Sequence, residues 1–251
     1  MKKIFSVVIA VFAVFVLVAE DPQLVFHFPA ADGSGNVIKN SVAATASDAK
    51  ISGTEFAWES NLAGKKAIAF KNPVKSVTGK CTCGIAKING KIDFSKPFTV
   101  MFWVYPDPTL PGNRQYTILS TAKTDFGPGW RIIYNYGSLM FVGGAGKVMP
   151  GLVASINNGK FPHRKGVWHH VTAVYDGTNV KLYLNGIEAI AKPMKLLNGH
   201  DRITIGAYAS GYSYGFIGGI SDIKIFAGVL SAEQIIAEIM ASVPVPPFGP
   251  A

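Results

Sequence analysis

The stretch from Trp168 to Gly186 constrains the chain most. Trp168 to Tyr175 reads as a strand, Asp176-Gly177 follows, Val180 to Leu184 reads as a second strand, and Asn185-Gly186 closes it. Both dipeptides accept the positive φ that tight hairpin turns demand. Three consecutive strands therefore fold back on one another as a meander, which no helical bundle accommodates.

The same grammar runs through the chain. From Leu24 onward the period is mainly two, in short runs divided by turn residues about every 8 to 12 positions. Strands are predicted at Leu24 to Phe28, Ala67 to Phe70, Phe98 to Tyr105, Tyr116 to Ser120, Arg131 to Tyr134, Leu139 to Val142, Trp168 to Tyr175, Val180 to Leu184, Arg202 to Ala207 and Gly219 to Phe226. With 27 Gly and 15 Pro among 251 residues, long helices have little room. Hydrophobic residues at 49% and charged residues at 16% exclude disorder for most of the chain. One compact all-β domain is ordinary at this length, and no internal repeat or second domain is visible.

The two ends differ from the body. Lys2 and Lys3 precede an apolar run from Ile4 to Ala19, which Glu20, Asp21 and Pro22 end abruptly. That layout predicts a secretory signal over 1–19, with an uncleaved N-terminal anchor as the alternative and the only route to a membrane. The folded part is thus expected outside the cytoplasm, at the cell surface or in the periplasm. Losing Lys2 and Lys3 lowers the formal charge from +9 to +7, which still attracts anions. Near the other end, Ser231 and Gln234 make a capping box and Leu230 with Ile235 a hydrophobic staple, predicting a helix from about Ala232 to Met240. After the body of the domain, 20–242, the prolines Pro244, Pro246, Pro247 and Pro250 favour an extended tail over 243–251. Cys81 and Cys83, two residues apart, make an awkward disulfide on an extended strand, although pairing suits an exported protein better than metal binding does.

In order and spacing, several segments resemble the laminin G-like family of the concanavalin A-like jelly-roll superfamily. They are LVFHFPAADGSGNVIKNS from Leu24, KKAIAF from Lys65, FTVMFWVYP from Phe98, KGVWHHVTAVYDGTNVKLYLNG from Lys165, and DRITIGAYASGYSYGFIGGISDIKIFAGVLSAEQI from Asp201. The resemblance covers Leu24 to Met240. It implies two antiparallel sheets packed face to face with one short C-terminal helix, and places Trp103 and Trp168 in the core. Because the superfamily holds lectins, glycosidases, lyases and adhesion modules, the site needs its own argument.

Catalysis finds little support in the residues. Glycoside hydrolysis uses opposed carboxyls about 5 to 9.5 Å apart, which on a strand appear as acids at alternate positions. The glutamates are Glu20, Glu55, Glu59, Glu188, Glu233 and Glu238, and their close pairs fall in a loop or on the terminal helix. His169 and His170 are adjacent on a strand and point to opposite faces, so they cannot grip one ion. His163 and His200 stand in predicted loops with no partner at ligand spacing. The resemblance implies one structural calcium between the loop after the first strand and the last strand, with Asp32 and Asp222 as its side chains. Here Ala31 and Ser221 stand where acids are usual in that family.

Sugar recognition uses flat rings on pyranose faces with a few orienting polar groups. Trp130 beside Gly127-Pro128-Gly129, and Tyr208, Tyr212 and Tyr214 in the Gly-rich loop, are the candidate rings. Arg131, with Lys181 and Arg202, is the candidate positive charge, since a guanidinium fork suits a carboxylate or sulfate. No basic cluster denser than Lys65-Lys66 and no recognition helix points to nucleic acid. The expectation is a secreted, non-catalytic carbohydrate-binding or adhesion module for glycans, acidic ones included. The alternative is a structural or adhesive envelope protein that binds another protein, and behind it a polysaccharide-active enzyme.

Overall fold

A computed structural model describes residues 21–42, 46–62, 64–73, 81–88, 92–122, 127–144, 153–156, 164–208 and 214–242. The segment 1–19, His163, Tyr212 and the tail 243–251 lie outside the described residues.

The chain runs through β1 (Gln23–Phe28), β2 (Val37–Ile38), β3 (Ala49–Ser52), β4 (Phe56–Leu62), β5 (Lys65–Lys71) and β6 (Cys83–Lys87). It continues through β7 (Phe98–Pro106), β8 (Gln115–Ser120), β9 (Gly129–Asn135), β10 (Ser138–Gly144) and β11 (Val153–Ile156). Then come β12 (His169–Tyr175), β13 (Asn179–Leu184), β14 (Ile187–Pro193), β15 (Arg202–Ile205), β16 (Ile217–Ala227) and the helix α1 (Ala232–Ser242). Each predicted strand is present, and the meander is β12-β13-β14.

Two antiparallel eight-stranded sheets result. Sheet A has the order β14-β13-β12-β7-β16-β5-β4, with β1 also paired to β16; sheet B has the order β11-β10-β9-β8-β15-β6-β3-β2. Their facing sides enclose one core that includes Phe26, Phe70, Phe102, Trp130, Phe141, Val171 and Ile220, as in a sandwich. The long strand β16 pairs with β5 through its first half and β1 through its second, and its register against β7 slips between Ser221 and Lys224. Asp222 sits in that bulge at φ 48°, and bulges re-aim side chains.

The helix α1 packs on the outer side of sheet A. Leu230, Ile235 and Ile239 join Met101, Val174, Tyr183 and Phe226 in a second apolar cluster, with Trp103 against it. The predicted capping box forms: Gln234 N–H donates to Ser231 Oγ at 3.2 Å, and Ser231 N–H donates to Gln234 Oε1 at 2.8 Å. At the far end Lys65 Nζ donates to the Ser242 carbonyl at 2.7 Å and lies 4.5 Å from the Trp103 ring, a cation at the negative helix terminus. Burial, as the main effect, lowers the Lys65 pKa. Among the described residues no helix is long and apolar enough to cross a membrane.

Candidate functional site

With one outer face covered by α1, recognition has to be sought on the other. Along β9 the residues Trp130, Ile132 and Tyr134 belong to the core, so alternation sends Arg131, Ile133 and Asn135 to the outer face of sheet B. Their cross-strand partners on β8 are Ser120, Thr117 and Gln115.

Three of the sequence-predicted residues meet there. The Arg131 guanidinium carbon lies 4.8 Å from the centre of the Tyr208 ring, and Tyr208 meets Tyr214 edge to face at 6.0 Å. The loop joining β15 to β16 carries both tyrosines, and backbone bonds fasten it to β8: Gly206 N–H donates to Ile118 O at 2.8 Å and Thr117 N–H donates to Tyr214 O at 2.7 Å. Gly206 makes the turn possible, because at φ 85° a Cβ there would meet the Phe70 ring at 2.7 Å. Arg131 occupies one face of Tyr208 from beneath, a cation–π contact that fixes the ring as a platform. Both tyrosines are half-buried, whereas Arg131 is only 3% exposed. Its charge therefore supports the ring and is not offered to solvent.

Trp130 is corrected. It is 0% exposed and stacks on Phe98 and Phe141 at 5.6 and 5.9 Å, with its ring edge-on to Phe94 at 5.6 Å. The reason is the strand period: with Arg131 facing out, its neighbour Trp130 faces in. Trp103 and Trp168, expected in the core, are instead half-buried on the periphery. Their indole N–H groups donate to Ser242 Oγ and Leu62 O, each at 2.7 Å.

Sequence reasoning overlooked four residues beside the tyrosines. Gln115 and Asn135 lie directly opposite each other, and Thr117 follows two positions along the same face. Tyr136, at the tip of the β9–β10 hairpin, is 69% exposed with φ 48°. A bulky residue in that conformation is strained, and such strain gathers at functional positions. The Tyr136-Gly137 turn between two alternating runs was the available signal.

The residues expected to hold calcium do not fit it. Asp222 accepts a hydrogen bond from His27 Nε2 at 2.7 Å and stands 3.5 Å from Lys224 Nζ; Asp32 instead accepts from the exposed Lys39 N–H at 3.2 Å. Burial works against Asp222 ionisation most strongly, but the His27 bond and the Lys224 charge overcome it and hold its pKa below the ordinary value. Two basic groups thus occupy the carboxylate where calcium needs a shell of oxygens. Among the described residues no group of three or more His, Cys, Asp or Glu side chains converges as a metal site.

The same cluster brings two carboxylates to one ammonium. Asp222 and Glu238 both touch Lys224 Nζ, at 3.5 and 2.8 Å. A glycosidase acid must stay protonated through a raised pKa, whereas the His27 bond and the Lys224 charge hold that of Asp222 below its ordinary value. Ser41 Oγ lies 2.9 Å from His27 Nδ1, which completes a Ser-His-Asp series. The series ties β1 to β16. His27, Asp222 and Lys224 line a cavity of about 560 Å³ with Lys65, Lys66 and Ser242.

The histidine pair behaves as packing. His170 lies between Trp103 and Thr172 and burial lowers its pKa to about 3, while His169, on the other face, engages Arg164 O at 2.9 Å. Cys81 and Cys83 are buried thiols with no disulfide between them, and burial followed by the neighbouring Cys81 raises Cys83 to about 12.

Comparison with known proteins agrees with this architecture. The laminin G-like family model described as the concanavalin A-like lectin/glucanases superfamily matches residues 84–236, more than half of the chain. No curated protein sequence matches. Among solved structures, the botulinum neurotoxin serotype D binding domain is 15% identical at a TM-score of 0.64, over 87% of this chain and 52% of that one. The serotype D ligand binding domain in complex with N-acetylneuraminic acid is 16% identical at 0.63, over 87% and 51%. Domain 4 of AbnA, an extracellular arabinanase from Geobacillus stearothermophilus, in complex with arabinotriose, is 17% identical at 0.61, over 87% of this chain and 99% of that domain. The chain thus spans about half of the toxin domains.

Proposed function

Because the chain belongs to the laminin G-like family of the concanavalin A-like lectin/glucanases superfamily, we propose that it is a non-catalytic carbohydrate-binding module whose ligand sits on the outer face of sheet B. The observation that carries this reading is the assembly of Arg131, Tyr208 and Tyr214 on that face. A half-buried tyrosine ring braced by a guanidinium is a platform of the kind on which a pyranose stacks. Two of the similar structures hold N-acetylneuraminic acid and arabinotriose, which supports a glycan as the partner. A non-catalytic role is supported by Lys224, whose ammonium stands between the carboxylates of Asp222 and Glu238 and is paired with both. The apolar N-terminal run behind Lys2 and Lys3 supports export, where such glycans are met. An acidic ligand draws support from the basic surface as a whole, although the best-placed charge, Arg131, is covered.

A second reading, adhesion to an envelope protein, draws on Ile187, Ile236 and Met240, which are exposed where α1 lies beside the β13–β14 turn.

A glycan array followed by calorimetry on the full chain tests the proposal. Retention of a glycan that Tyr208→Ala weakens about tenfold or more, with the melting temperature little changed, is the expected result. Failure to retain any glycan at low salt, or undiminished binding by the variant, overturns it.

A further inference from the structure

We infer that the glycan taken on this face is neutral and hydroxyl-rich, read through Gln115, Thr117 and Asn135 rather than through charge. The inference rests on the carbohydrate reading above and names its ligand class.

Three atoms carry it. Gln115 Nε2, Thr117 Oγ1 and Asn135 Oδ1 are enclosed by the fold, yet have no hydrogen-bond partner. Enclosed polar atoms are almost always paired in native proteins, and each exception calls for a reason. These three are adjacent: Gln115 faces Asn135 across β8 and β9, and Thr117 follows at the next position on the same side. That side is away from the core, beside the segment carrying Tyr214, whose carbonyl accepts from the Thr117 amide. Thr117 itself is 0% exposed.

Their chemistry selects among ligands. Gln115 Nε2 only donates, Asn135 Oδ1 only accepts, and Thr117 Oγ1 does both. A sugar hydroxyl donates and accepts, so neighbouring hydroxyls complete all three atoms. A carboxylate or sulfate only accepts, and would set its negative oxygens against Asn135 Oδ1. The charge that would compensate, Arg131, lies beneath Tyr208. The Asn135 amide nitrogen contacts Met140 Sδ at 3.8 Å, which directs the oxygen away from the sulfur. A hydroxyl reaches these atoms as the side chains over them yield, the half-buried Met140 beside Asn135 among them. Beyond Asn135 the exposed ring of Tyr136 extends the row to the hairpin tip, so the face suits an oligosaccharide more than one sugar unit.

Thr117→Val is the discriminating variant, because it keeps the shape of the side chain and removes the orphan hydroxyl. Calorimetry of the full chain and the variant with arabinotriose and with sialyllactose, at low and high salt, is the experiment. Arabinotriose is expected to bind with an affinity nearly independent of salt, and Thr117→Val to weaken it about tenfold. The variant should also melt at or above the parent temperature, since it loses an unsatisfied buried group; a merely structural hydroxyl would give lower stability and unchanged affinity. Preference for sialyllactose with strong salt dependence, or arabinotriose binding untouched by Thr117→Val, overturns the inference and leaves the carbohydrate reading standing. Binding of neither probe overturns the inference; the glycan array then decides the broader reading separately.

Discussion

The two outer faces of the sandwich are covered in opposite ways. On sheet A, Met101, Val174, Tyr183 and Phe226 meet Leu230 and, on α1, Ile235 and Ile239 in an apolar layer sealed by a cap at one helix end and Lys65 at the other. On sheet B the corresponding layer is Gln115, Thr117, Arg131 and Asn135 with tyrosines beside them, and three of its polar atoms are unsatisfied. A face closed by hydrocarbon gains stability from the closure, whereas a face closed over unpaired polar atoms gives stability away. That asymmetry separates the structural side of the molecule from the recognising side.

The largest expected effect breaks the covered face. Ile235→Ala empties a fully buried position under α1 and should cost about 2–5 kcal/mol in denaturant unfolding, with glycan affinity of the folded protein unchanged. Loss of affinity in step with stability would merge the two faces into one function.

Next comes pH. His170 lies under the same face, and burial lowers its folded pKa from an ordinary 6.5 to about 3. Between those values the unfolded chain binds the proton and the folded chain does not. Stability is therefore full above about pH 6.5 and falls toward pH 3, by up to about 1.4 kcal/mol per pH unit. Melts across that window should show the fall, and His170→Gln should flatten it. An unchanged slope in the variant would place the acid sensitivity elsewhere.

Removing the helix cap with Ser231→Ala should cost about 1 kcal/mol, read as a lower melting temperature, and leave sheet B untouched. The smallest effect concerns calcium: because His27 and Lys224 already engage Asp222, adding calcium or chelator should leave the melting temperature in place. A rise with calcium would show that oxygens can displace those bases.

Sequence rules reached far into the fold where geometry is local. Asp176-Gly177, Asn185-Gly186 and the Ser231 cap announced the meander and the helix, which runs two residues past its expected end to Ser242. The strands that went unread are β2, β3, β4, β6 and β11, and β14 was read only as the third strand of the meander, without bounds. β2 has only two residues, and β14, IEAIAKP, is a mostly exposed edge whose residues record no clear inner side. The site was half legible. Arg131, Tyr208 and Tyr214 were chosen on chemistry and do converge, but pairing Trp130 with Arg131 broke the alternation rule already applied to His169 and His170. Extended to β8 and β9, that rule also sets Gln115, Thr117 and Asn135 opposite the core-facing Tyr116 and Tyr134. Their lack of partners is a property of three dimensions, with no trace in the order of residues.

The most direct test is a chemical-shift map of the isotopically labelled protein titrated with arabinotriose. The account expects the amides of Gln115, Thr117, Asn135, Tyr208 and Tyr214 to move while those of Ile235 to Ser242 stay still. Shifts confined to α1 and the β13–β14 turn would contradict it.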